Sequence, residues 1–149
     1  MAEISFYHLT RQTLEQSLPE LLAKVVGQGL RTLVKLNDTA TMEMLDKALW
    51  TYDPESFLPH DKDGCAQPHM QQIFLTLGDD NANSATILTL INNAVCPDMV
   101  AYDRVLYMFD GRDDAIVSRA REHWKTFSDQ NFTMSYWQQK ETGGWEKKA

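Results

Sequence analysis

The order of hydrophobic periods in the first third of the chain restricts the fold more than any other feature. "EISFYHL" (Glu3 to Leu9) alternates and is rich in aromatics, which reads as a strand. From Thr13 to Gln28, Leu14, Leu18, Leu21, Leu22, Val25 and Val26 recur at helical spacing, and Gly27 and Gly29 end the segment. Pro19 interrupts that pattern; a proline belongs near a first turn, so the start of this helix is left open. "RTLVKL" (Arg31 to Leu36) is a short buried-type strand. Asp38 or Thr39 then caps a helix reaching Trp50, with Met42, Leu45 and Leu49 on one face. Strand, helix, strand, helix and strand in sequence require right-handed crossovers and a sheet covered by helices on both faces.

Further along, Thr51 to Gln71 reads as a long loop holding Pro54, Pro59, Gly64 and Pro68, and such loops in compact domains are usually functional or mobile. Strands are expected at "IFLTL" (Ile73 to Leu77), "ATILTLI" (Ala85 to Ile91) and "RVLYMF" (Arg104 to Phe109), and a last long helix from about Arg112 to Ser128. The later strands are too close together for helical crossovers throughout. The expected class is therefore α/β, a three-layer α/β/α arrangement with a mixed, mostly parallel sheet of about five strands. A chain of 149 residues fits one domain. Residues 1–138 are assigned to that domain and 139–149, including "KETGGWEKKA", to a polar, mobile C-terminal tail.

Charge and composition remove several functions. The net charge is −7 with a pI near 5.0, so most of the surface repels phosphates, and strong direct binding of nucleic acid is not expected. No apolar run approaches the roughly 20 residues a membrane helix needs. "MAEISFYHLT" has no basic start followed by an apolar stretch, so no secretory signal is expected. Cys65 and Cys96 form no spaced framework, which fits a reduced, cytoplasmic protein. The first strand-to-helix turn, "HLTRQT", lacks a glycine-rich cradle, and "GQGLR" follows a helix, so it is a helix stop. His60, Cys65 and His69 are types that zinc accepts, but no fourth ligand stands at usual spacing and Cys65 has no recognisable base. A small intracellular hydrolase or transferase using this loop is the alternative reading. Otherwise no catalytic set, metal site or cofactor is expected.

What remains is a surface. In "SRAREHWKTF" (Ser118 to Phe127), Arg121, Trp124 and Lys125 sit at i, i+3 and i+4 and share one helix face. Ile116, Ala120, His123 and Phe127 make the neighbouring, core-type stripe. Two cations beside an indole suit a ligand both apolar and anionic; an ordinary amphipathic helix with an inward Trp suits the same pattern. Trp50 poses the same choice. Phe57, in "PESFLP", is stiffened by prolines on both sides.

"ALWTYDPESFLPH" (Ala48 to His60), followed by "AREHWK" (Ala120 to Lys125), resembles the chi subunit family of bacterial DNA polymerase III holoenzyme. "FYHL" and "LRTLVKL" add to the likeness, whose most specific piece is L-W-x(6)-F-x-P-H. The resemblance implies a non-catalytic clamp-loader accessory subunit acting in DNA replication. It also implies two partners, a psi subunit where one exists and the acidic C-terminal tail of single-stranded-DNA-binding protein, which ends in Pro-Phe with a free carboxylate. On that basis Trp50, Phe57 and Trp124 are expected to line a slot for the terminal ring, and Arg121 and Lys125 to meet the carboxylates.

Overall fold

The computed structural model describes residues 3–51 and 60–149. Among these the elements are β1 (Glu3–Leu9), α1 (Leu14–Gly27), β2 (Thr32–Lys35), α2 (Thr39–Thr51), β3 (His60–Lys62), β4 (Ile73–Thr76), β5 (Ile87–Ile91), β6 (Arg104–Asp110), α3 (Asp114–Asp129), β7 (Thr133–Gln139) and β8 (Trp145–Lys147). The strands form one sheet in the order β3-β4-β2-β5-β6-β1-β7-β8. Every neighbouring pair is parallel except β7 and β8. The α/β class and the mostly parallel sheet are as expected; the sheet has eight strands rather than about five.

Crossover handedness explains the layers. The steps β1 to β2 and β2 to β3 move the same way across the sheet, so right-handed connections set α1 and α2 on one face. The step β6 to β7 moves the other way and sets α3 on the opposite face. The cores follow. Leu14, Leu18 and Leu22 of α1 and Met42, Leu45 and Leu49 of α2 pack on Val34, Ile73, Leu75 and Met108. Ala120 and Phe127 of α3 pack on Ile4, Phe6, Leu88, Leu90, Val105, Tyr107 and Phe109. Strand residues alternate between these clusters, as a pleat buried on both sides requires.

Three local readings change. Pro19 lies inside α1, past its first turn, and is buried. An interior proline costs about 3 kcal/mol, whereas burying each leucine of this face returns about 1.5–3 kcal/mol, and Leu14, Leu18 and Leu22 are all buried. The stretch read as one loop contains β3, which pairs with β4, and a short 3-10 turn at Pro68–Met70. The segment "TMSYWQQ" forms β7, parallel to β1, and the tail beyond it turns back as β8. The turn uses Gly143 and Gly144, both at positive φ (95° and 76°), as tight hairpins demand. Trp145 then packs edge-on against Tyr7, ring centres 5.2 Å apart, so the end of the chain is fastened to the sheet.

Candidate functional site

The α3 helix begins at Asp113, whose carboxylate accepts hydrogen bonds from Ala115 N at 3.0 Å and Ile116 N at 3.3 Å. Its core stripe, Ala120, His123 and Phe127, is buried as expected. Polar contacts fix the helix's rotation. His123 Nδ1 lies 2.6 Å from the Tyr107 hydroxyl. Asn93 Nδ2 donates to that hydroxyl at 2.8 Å and to Ile116 O at 3.1 Å. Burial pushes the Tyr107 phenol up to about 12, so it stays protonated and can serve the network as a donor.

With α3 held this way, Arg121 and Lys125 are exposed, while Trp124 is half-buried. The Trp124 ring stands edge-on to Phe6 (5.2 Å between centres) and to Tyr136 of β7 (5.5 Å). It is thus partly core, and it packs on the same core cluster as Met134 and Tyr136, which β7 turns to one side and which are also half-buried. Arg119 pairs with Glu122 at 3.3 Å, but among the described residues neither Arg121 nor Lys125 has an ion-pair partner.

His8 stands at the C-terminal end of β1, within electrostatic reach of Arg121. Its Nδ1 is 2.7 Å from the Tyr136 hydroxyl, and its ring centre is 4.9 Å from that of Phe109. Burial lowers the His8 pKa, and the Arg121 cation lowers it further. Burial raises the Tyr136 pKa, with Arg121 opposing. Gly111 closes this corner. A Cβ there would stand 2.2 Å from His8 Nε2 and 2.4 Å from Leu9 O, so only glycine fits. The corner lies where strand order reverses: β1 feeds α1 on one face and β6 feeds α3 on the other. In open α/β sheets such switch points favour ligand sites.

Trp50 belongs elsewhere. It is 58% exposed at the end of α2, its ring centre 4.8 Å from that of His60. The sheet stands between α2 and α3, and β3 is four strand spacings from β6, about 19 Å. Of the expected slot of Trp50, Phe57, Trp124, Arg121 and Lys125, the described members fall on two surfaces, because the crossovers set α2 and α3 on opposite faces of the sheet. Phe57, and with it any contact to Trp50, falls outside the described residues.

The His60, Cys65 and His69 loop does not converge. His60 is buried with Nε2 3.2 Å from Asp46, Cys65 packs on the α3-side core, and His69 is exposed. Among the described residues no group of three His, Cys, Asp or Glu side chains is placed to hold a metal ion, and no helix is long and apolar enough to cross a membrane.

The sequence singled out Arg121, Trp124 and Lys125 of α3 but not His8, Gly111, Met134 or Tyr136. The signal for β7 was present in its aromatic and β-branched residues, "FTMSYW".

Residues 1–135 match the sequence profile of a family described as DNA polymerase III chi subunit, HolC. A probable DNA polymerase III subunit chi of Rickettsia prowazekii is 30% identical over 92 residues, 62% of this chain. The match spans 56% of the Rickettsia protein's length. DNA polymerase III subunit chi of Haemophilus influenzae is 28% identical over 134 residues, covering 87% of this chain and 92% of that protein.

Proposed function

This chain belongs to the DNA polymerase III chi subunit family, and on that footing we propose that it is a non-catalytic accessory subunit of the replicative polymerase that captures the acidic tail of single-stranded-DNA-binding protein on α3. The observation that carries the reading is the pair of exposed cations, Arg121 and Lys125, flanking the half-buried Trp124 on a chain of net charge −7. A terminal phenylalanine needs an apolar edge, which Trp124, Met134 and Tyr136 supply. Its carboxylate and the preceding acids need cations that are not already neutralised. Each such contact can be weak, because many tails on one coated strand raise the effective concentration.

Trp50 is left for a different partner on the other sheet face, and a psi subunit or another clamp-loader component is the natural occupant of that role. The protein then links two bodies from opposite faces, with no cofactor and no chemistry of its own.

Calorimetric titration with the tail peptide of the cognate single-stranded-DNA-binding protein tests the assignment. One saturable site is expected, weakened about 10- to 150-fold in Arg121→Ala, the range that 1.5–3 kcal/mol for a charge-assisted bond implies. Trp50→Ala should leave tail affinity unchanged. A loss of tail binding in Trp50→Ala with none in Arg121→Ala would move the tail site to the other face.

A further inference from the structure

On the sheet face away from α3, residues of α1, β1, β6, β7 and β8 line a cleft of about 220 Å³. Leu21, Val25 and Leu106 form its floor, and Tyr7, Trp137 and Trp145 its walls. Val25 and Leu106 are buried, while the three aromatic residues are half-buried and present surface to the opening. The indole of Trp137 is oriented by a hydrogen bond from Nε1 to Ser135 Oγ at 3.3 Å. The Tyr7 and Trp145 rings meet edge-on. The cleft is thus a shaped apolar slot, smaller than the roughly 300 Å³ at which small-molecule and cofactor sites begin, and suited to one large side chain.

Its rim is cationic. Lys24 and Arg104 border the opening, and among the described residues neither has an ion-pair partner. Glu3, opposite Arg104 in the β1–β6 register, is the nearest acid along the strands. A second hollow continues from the first, sharing Lys24 and Trp145 and adding Arg11 and Lys140, with Glu20 as its acid. Four of the chain's 14 lysines and arginines therefore line one groove of a protein whose net charge is −7.

We propose that this groove docks an acidic segment of a partner protein, one large apolar side chain entering between Trp137 and Trp145 while flanking carboxylates meet Lys24 and Arg104. A second copy of this chain is disfavoured, because a twofold contact would set the same cations against each other. Single-stranded nucleic acid is disfavoured too, because its bases need open stacking faces, and both indoles are half-buried in the lining of a slot. The groove lies on the opposite side of the sheet from Arg121 and does not depend on how the α3 surface is used.

The test uses the full chain labelled with 5-fluorotryptophan, whose four indole signals are assigned by single Trp→Phe variants. The probe is a short peptide of aspartates around one phenylalanine, capped at both ends so that no terminal carboxylate is present. Saturable shifts of the Trp137 and Trp145 signals are expected, with Trp50 and Trp124 unmoved. Replacing the probe's phenylalanine by alanine should abolish them. Lys24→Glu and Arg104→Glu should each weaken binding about three- to tenfold, since reversal exchanges attraction for repulsion at a partly exposed rim. Arg121→Ala should leave binding unchanged, and unmoved Trp50 and Trp124 signals in each variant verify the fold. The proposal is overturned by no shift at millimolar probe, by shifts confined to Trp50 or Trp124, by unchanged affinity in both reversals, or by equal shifts from an oligothymidylate of matching charge.

Discussion

The His8 Nδ1 atom lies 2.7 Å from the Tyr136 hydroxyl, joining β1 to β7 within the field of Arg121. This contact links the proposed tail surface to an imidazole whose pKa burial lowers and Arg121 lowers further. Because Arg121 lowers the His8 pKa, any change at Arg121 should be read out by the imidazole. In Arg121→Ala the His8 pKa, followed by NMR, should rise, and an anionic peptide bound at Arg121 should raise it in the wild type. An unmoved His8 titration in both cases would separate the two residues.

Stability should depend on pH with a sign set by two histidines. Burial is the main cause that lowers both His8 and His123, with Arg121 and Arg119 respectively adding to it. Each folded value is below the unfolded 6.5, so the unfolded chain binds more protons between the two. Their contribution is present above about pH 6.5 and lost as pH falls through the folded values. Urea midpoints should therefore drop between pH 7.5 and pH 5.5, and the drop should shrink in a His8→Gln, His123→Gln double variant. An equal drop in both proteins would assign the effect to other groups.

Gly111→Ala should destabilise the fold by about 1–3 kcal/mol, the usual cost of overpacking. One of the atoms that a Cβ would meet, Leu9 O, is backbone and cannot swing aside. Loss of the His8–Tyr136 contact should accompany it, visible as a shifted His8 resonance. A variant as stable as the wild type would mean that the β6–α3 turn relaxes freely.

Tyr107→Phe tests what sets the helix's rotation. It removes the hydroxyl shared by Asn93 and His123, leaving polar groups unpaired at about 1–3 kcal/mol. Tail affinity should fall with stability if the network orients Arg121. A loss of stability alone would confine the network to packing.

How much was legible in the sequence follows from the physics of each part. The β1-α1-β2-α2 order was readable because Leu14, Leu18 and Leu22 and the alternation in "EISFYHL" each serve one buried face. That α2 and α3 lie on opposite faces was not readable, because it depends on strand order, which local periods do not encode. Tyr136 was missed because "FTMSYWQQ" is only partly buried near the sheet's edge and its alternation is weak. Trp145 was missed because lysines and glycines around it resemble a solvated tail, although a Gly-Gly turn preceded it. That Arg121, Trp124 and Lys125 share one face of α3 was readable from i, i+3, i+4 spacing, since the core stripe beside them fixes which face is outward; their expected role came from the family resemblance.

The central claim is that Arg121 reads the terminal carboxylate of a tail peptide, and a double-mutant cycle tests it most directly. Four affinities are measured: wild type and Arg121→Ala, each with the free-acid peptide and with its C-terminal amide. The account predicts that the amide weakens wild-type binding about 10- to 150-fold, as Arg121→Ala does with the free acid. It also predicts that the amide has little further effect on the variant, because both changes remove the same pair. Arg121→Lys should recover only part of the loss, since lysine keeps the charge without the planar fork. Losses that simply add, or an Arg121→Ala affinity equal to wild type, would contradict the account.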